Sequence, residues 1–280
     1  GLMVKGAAGT TFAFLETLTR ATPLIFTGLA AAVAFRAKLW NIGGEAQLYI
    51  GAVMTVVLGT GFLPLPQPIL IPVLMLAAML GGAMVLSIPT FLKTRFGVDE
   101  VVTTLLLNFI AILFVSMLLE GVLKDPTGLG WPQSKKVIAE AQLPKLIQGK
   151  RLHFGFVVAI AAAIAVWIID RQSTLGYEMR AVGHSPKAAS FAGIPVNRVL
   201  AKTALLSGGL AGLAGMLAGP LWTVNPSMAA GAIMPAFVIV TIGGLGSYAG
   251  AIIAGLMVGL VTAMTVQFYP DWSNAAMYIL

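Results

Sequence analysis

Residues 101–120, VVTTLLLNFIAILFVSMLLE, run to Glu120 without a charge. A surface helix of a soluble protein keeps one polar face, and this one keeps none. About twenty residues at helical rise cover the hydrocarbon of a bilayer. Runs of similar character recur at about 22–38, 45–63, 69–92, 153–169, 203–220, 234–245 and 248–268. Of the 280 residues, 58% are hydrophobic and 10% charged, whereas a soluble domain is roughly one-quarter charged. The dyad alternation of a transmembrane barrel is missing. The expected fold is therefore all-α. It is a single polytopic transmembrane helix bundle over 1–280, with about eight to ten membrane segments, one or more of them broken.

The broken segment is PAFVIVTIGGLGSYAG, residues 235–250, where glycines interrupt a run too short to cross alone. Such a break survives at membrane depth only where protein or a water-filled cavity covers the backbone. LPLPQP at 63–68 reads as a turn between spans. The insert 121–152, GVLKDPTGLGWPQSKKVIAEAQLPKLIQGKRL, is polar and rich in Pro and Gly. No repeat of solenoid length is present. The sequence begins at Gly1, and residues 1–20 carry no signal-peptide pattern. Within the span 203–220, Gly208, Gly212, Gly215 and Gly219 share one helical face, which predicts close helix packing. Gly255 and Gly259 repeat the device in the last span.

The net charge of +7 lies between spans rather than in one patch, which argues against nucleic acid. Arg36, Lys38, Lys93, Arg95, Arg171, Arg180, Lys187, Arg198 and Lys202 gather on one side, mostly in short connections. The other side holds Arg20 and six cations of the long insert. The positive-inside bias then places 170–202 in the cytoplasm and 121–152 outside. With no native cysteine, single cysteines at Ser185 and Ser134 would report the two sides.

Catalysis finds little support. His153 and His184 are separated by a span and do not readily share a metal. No metalloprotease helix, nucleophile elbow or phosphate loop is encoded. No catalytic residue, metal or cofactor is expected, and no part of the sequence is expected to hydrolyse ATP alone. Polar residues at membrane depth are few. Glu45 and Gln47, like Asp99 and Glu100, follow basic residues at span ends, where acids balance charge or cap helices. Asn108 lies inside a span, where it either bonds across helices or lines a pathway. Asn41, Glu45, Gln47 and Asn108 are the candidate pathway residues. Thr103, Thr104, Trp222 and Asn225 add neutral polar groups, and no evident buried ion pair accompanies them.

SPKAASFAG, residues 185–193, reads as a short helix with Ser185 as N-cap, Pro186 in the first turn and Gly193 at its end. Ala188, Ala189, Phe191, Ala192 and Ile194 make it too apolar for a solvated face, and a docking role follows.

LGYEMRAVGHSPKAASFAGIPVNR, residues 175–198, resembles the cytoplasmic coupling loop of permease subunits of bacterial ABC importers, in the family of branched-chain amino acid, ribose and nucleoside permeases. TRATPLIFTGLAAAVAFRA (19–37), LWNIGGEAQLYIGA (39–52) and LKTRFGVDEVVTTLLLNFIA (92–111) resemble further segments of the nucleoside and simple-sugar branch. AFVIVTIGGLGSYAGAIIAGLMVGL (236–260) is more similar to the amino acid branch. The resemblance implies a multi-pass bacterial inner-membrane permease for nucleosides or simple sugars. Its implied partners are a second permease subunit, two ATPases and an extracytoplasmic substrate-binding protein, all served by the lipid bilayer. A branched-chain amino acid permease is the runner-up, and an ion-coupled secondary transporter or channel the alternative from another class. Carried over by position, the resemblance assigns ATPase docking to Arg180, Gly183, Pro186, Ala188, Ala189, Gly193 and Ile194. Lys187 stands where the family often has an acid, and Ala46 where it has a glycine.

Overall fold

The structure, a computed structural model, describes residues 11–128, 130–147, 149–228, 230–244 and 246–268. Ten α-helices form among them: α1 Thr11–Arg36, α2 Gly44–Gly59, α3 Gln67–Phe96, α4 Glu100–Glu120, α5 Gly155–Gln172, α6 Thr174–His184, α7 Pro186–Phe191, α8 Val196–Trp222, α9 Ala230–Gly243 and α10 Tyr248–Phe268. The described residues contain no β-strand, only two isolated bridges in and beside the insert. Five helices (α1, α3, α4, α5 and α8) are long and apolar enough to cross a membrane. The all-α polytopic bundle expected from the sequence is what the chain forms.

Three boundaries differ from expectation. Helix α1 begins at Thr11, well before the apolar run, because its early polar groups are satisfied along the helix. Glu16 pairs with Arg20 at 3.2 Å and with Arg151 at 3.3 Å, while the Thr19 and Thr22 hydroxyls donate to carbonyls one turn back. Helix α2 is 16 residues long, about 24 Å at helical rise and short of a full crossing. The third difference is α6, a whole helix within a segment read as loop. Its Gly176, Met179, Val182 and Gly183 are buried on one face.

Helix α8 is the axis of the bundle and packs against α1, α2 and α3. A Cβ at Gly212 would stand 2.1 Å from the Ala78 carbonyl oxygen, and one at Gly215 would stand 2.0 Å from that of Leu48. Gly82 and Gly208 face each other in the same way, and Gly51 faces Gly212. The glycine face thus lets α8 touch α2 and α3 backbone to backbone; the surroundings of Gly219 lie outside the described residues. Between lipid-embedded helices such close packing supplies much of the attraction. In α10, a Cβ at Gly259 would stand 2.9 Å from that of Ala21, whereas one at Gly255 would stand 3.4 Å from the Ile25 side chain. Helices α9 and α10 form a hairpin in which Gly244 and Gly246, at φ +86° and +79°, make the turn.

The insert after α4 is irregular apart from one 3₁₀ turn, Ala139–Ala141. Its backbone is tied to the bundle: Ile138 N donates to Gly59 O at 2.9 Å and Ser134 N to Val224 O at 2.9 Å. The Ser134 hydroxyl accepts from Val224 N, and the residue is fully buried, so it cannot serve as the exposed reporter the sequence suggested.

Gly212→Val should cost several kcal/mol, beyond the roughly 1–3 kcal/mol of ordinary overpacking, because the obstacle is backbone. Gly209→Ala, with 3.6 Å to its nearest neighbour, should leave stability within about 1 kcal/mol. Thermal unfolding of the two purified variants checks the contrast.

Candidate functional site

Two polar clusters interrupt the bundle where α1 ends. The first surrounds residues 37–43. Lys38 adopts φ +52°, and Leu39 N donates back to Ala34 O at 3.0 Å. This is a Schellman-type stop with lysine in the position glycine usually takes. Beyond it the chain is non-helical through Gly43, yet Leu39, Asn41 and Gly43 are buried. Such backbone must find partners within the protein.

Asn41 Nδ2 donates to Gln47 Oε1 at 3.0 Å, and Gln47 Nε2 returns a bond to Asn41 Oδ1 at 2.8 Å. The same Asn41 oxygen accepts from Gly43 N at 3.0 Å. Ser207 on α8 accepts from Asn41 at 3.4 Å and donates to Ala30 O at 2.7 Å. Asn108, on α4, accepts from Ala46 N at 3.0 Å and donates to Ile42 O at 3.0 Å. One α2 first-turn donor and one carbonyl of the break are thereby satisfied. Asn41, Gln47 and Asn108 are brought together; Glu45 stands half-buried in the first turn of α2, outside this network. A cavity of about 20 Å³ adjoins Asn41, Thr27 and Ala236. It has room for about one water and none for a nucleoside.

The other polar candidates are spent locally. Thr103 and Thr104 donate to the carbonyls of Asp99 and Glu100, and Asn225 accepts from Ser227 N at 3.1 Å. The Trp222 side chain lies outside the described residues. Asp99 caps α4 by accepting from Val101 N at 2.7 Å, and Glu100 pairs with Lys93 and accepts from Trp40 N.

The second cluster is an ion triad that sequence reasoning missed. Asp170, at the end of α5, is 2% exposed and lies between two arginines. Arg36 reaches it through Nε at 3.3 Å and Nη2 at 3.1 Å, and Arg180 through Nη1 at 3.1 Å. Arg180 also donates to the Asp170 carbonyl. Arg36 Nη1 donates to Gly246 O at 3.2 Å, and its guanidinium lies 5.8 Å over the Tyr248 ring. This corrects the expectation that no buried ion pair accompanies the spans. The only clue in the sequence is a lone acid closing the apolar run of α5.

Helices α6 and α7 lie beside the triad. Ser173 caps α6 by accepting from Gly176 N, and Ser185 caps α7 by accepting from Ala188 N at 3.2 Å. Pro186 starts α7, and Gly193 follows it at φ +82°. Of the residues assigned to docking, Pro186, Ala188 and Gly193 are exposed. Ala189 is buried and Ile194 half-buried, packing with Leu39, Val182 and Val199 to hold α7 on the bundle. Arg180 belongs to the triad. Gly183 is helical, and its Cβ would stand 2.1 Å from Arg36 O, so close approach and not an unusual φ requires the glycine. Phe191, left out of that set, is 93% exposed.

A bundle with several membrane-length helices, a pinned break between two of its helices and an exposed helical pair on one face is a multi-pass membrane protein. Residues 13–280 match the family described as branched-chain amino acid transport system / permease component, and the chain belongs to it. It is 37% identical over 216 residues to the guanosine ABC transporter permease protein NupP of Bacillus subtilis, covering 77% of this chain and 62% of that one. To the glucose ABC transporter permease protein TsgB13 of Haloferax volcanii it is 35% identical over 226 residues, covering 77% and 59%. The chain thus spans about three-fifths of the length of these relatives. Among solved structures, PsaBC from Streptococcus pneumoniae in complex with Fab superposes with a TM-score of 0.54 at 14% identity, covering 99% of this chain and 91% of that one. That likeness is one of fold.

Asp170→Ala should destabilise the protein by roughly 3 kcal/mol or more, since two guanidiniums lose their shared acceptor in a half-buried site. The adjacent exposed Arg171→Gln should stay within about 0.5 kcal/mol. Melting temperatures of the pair decide whether the triad holds α6 in place.

Proposed function

We propose that this chain is the membrane-spanning permease subunit of an ATP-driven ABC importer for nucleosides or simple sugars, resident in a bacterial inner membrane. The observation that carries the reading is the α6–α7 pair. It is anchored from beneath by Ala189, Ile194 and the Arg180 ion pair, and it presents Phe191 almost wholly to solvent. An exposed aromatic on a rigid, charged helical knob fits a cleft in a separate protein. The ATPase supplies that cleft, with Pro186, Ala188 and Gly193 beside the aromatic. A second permease subunit and a substrate-binding protein complete the assembly, and the segment 121–152 faces the binding protein.

Relatives named as guanosine and glucose permeases support a neutral, hydroxyl-rich solute. The charged ends of an amino acid would call for charged groups or helix termini.

Three measurements test the reading. Lys136, in the insert after α4, and Ser190, on α7, are both exposed. A cysteine at Ser190 should react with an impermeant thiol reagent from the cytoplasmic side only, and one at Lys136 from the outside only; the reverse pattern removes the docking assignment. Phe191→Ala should leave the permease inserted while reducing co-purification of the ATPase by roughly tenfold or more. In cells carrying the whole transporter, unlabelled nucleosides or ribose should compete with uptake and leucine should not. Competition by leucine alone would assign the chain to amino acid transport, and uptake driven by an ion gradient without ATP would remove the ABC reading.

A further inference from the structure

The end of α1 and the end of α6 enclose a cleft of about 350 Å³ that the docking reading does not use. Its size falls within the range of small-molecule sites. It is lined by the half-buried Arg36 and Arg180, the exposed Lys38 and His184, and the aromatic Phe35 and Trp40. Gly183 closes the back, where α6 meets the α1 backbone.

The charge in this cleft does not balance. Two guanidiniums share the single carboxylate of Asp170, and no acidic residue appears among the lining side chains. Arg180 meets Asp170 through Nη1, and among the described residues its Nε and Nη2 remain for another acceptor. The two arginine side chains are 30% and 33% exposed, so the surplus charge is accessible from outside. Lys38 adds an exposed cation, and it does so from φ +52°, a conformation glycine would adopt at lower cost. Its ammonium donates to the His184 carbonyl at 3.4 Å, which sets the charge between the ends of α1 and α6.

The location says what the anion is. Helix α1 is of membrane-spanning length and ends at Arg36, so the cleft opens where the hydrocarbon gives way to headgroups. Trp40, 42% exposed and 5.2 Å from the Phe35 ring, has the character of an interfacial anchor. We infer that this cleft binds the phosphate headgroup of an anionic membrane phospholipid. Arg180, Lys38 and the His184 imidazole surround the phosphate, and Trp40 lies along the glycerol and upper acyl region. Basic pockets at a membrane face hold anionic headgroups by this chemistry. The site sits on the joint between α1 and α6, so an occupied cleft holds α6 on the bundle.

The test is native mass spectrometry of the purified full chain, titrated with phosphatidylglycerol and with phosphatidylcholine of matched acyl chains. No ATPase is present, so the outcome is independent of the transport reading. Phosphatidylglycerol should bind about tenfold more tightly, and Lys38→Gly combined with His184→Gln should bring the two lipids to parity. Lys38→Gly suits the left-handed backbone, so loss of binding would not reflect failed folding; circular dichroism confirms the helices. Equal affinity for the two lipids in the unaltered chain overturns the site. So does a preference that survives the double substitution. Displacement of the lipid by submillimolar inorganic phosphate would show a soluble phosphate to be the occupant and would overturn the lipid assignment.

Discussion

Along one face of α8, carbonyl oxygens of α2 and α3 stand 2.0–2.1 Å from where the Cβ of Gly215 or Gly212 would be. No side chain fits there, and in lipid, where apolar surface gains little by burial, such contact is what holds helices together. The register of α8 is thereby fixed against two neighbours at once. That register places Ser207, one residue before Gly208, opposite the Ala30 carbonyl of α1 and within reach of Asn41. The polar core of the bundle therefore depends on a glycine face that itself contains no polar side chain.

With α8 fixed, the break between α1 and α2 becomes affordable. Four buried or half-buried residues (Leu39, Asn41, Ile42 and Gly43) lie in this non-helical stretch, and side chains from three helices and from the break itself bond to its polar groups. The Asn41–Gln47 amide pair closes on itself, and both ends of the Asn108 amide are occupied by backbone. These groups are committed to structure in this conformation. On the proposed reading, a solute meets them only if the break opens; otherwise its path runs along the outer face of α2 and α4. That outer face, on the same reading, meets a second permease subunit.

How much of this could be read in the sequence depends on the distance between partners. Local patterns transferred well. The apolar runs became helices, the glycine face of α8 became a contact, and Ser185, Pro186 and Gly193 bound a short helix as their chemistry dictates. Asn108 stood out because an amide inside an apolar run has few innocent explanations. What escaped was non-local or compensated. Arg36 and Asp170 are 134 residues apart, and each alone reads as a charge at a span end. Ser134 sits in a polar stretch, yet a pairing with Val224 buries it. Helix α6 was hidden because its buried face is made of glycines, a methionine and a valine, too small a stripe to register as a period.

The basic face combines two electrostatic requirements that happen to agree. Helices α1, α3 and α5 all end there, with Arg36, Lys93, Arg95 and Arg171 in their last turns, and cations complement the negative end of a helix. On the proposed reading, the same cations also orient the chain in the membrane. Asp170 turns that crowd of like charges into a joint. Through it α6 is bonded to α5, and through Arg36 the joint reaches Gly246 in the turn between α9 and α10. A buried ion triad adds little net stability over well-packed apolar side chains, so stability alone does not account for one here. What it adds is direction: bonds to a carboxylate resist rotation of α6 in a way that methyl contacts do not. If an ATPase pulls on Phe191 of the neighbouring α7, the rigid path inward runs through Arg180, Asp170 and Arg36 to the α9–α10 hairpin. The glycine contact between Gly183 and Arg36 O leaves no slack along it.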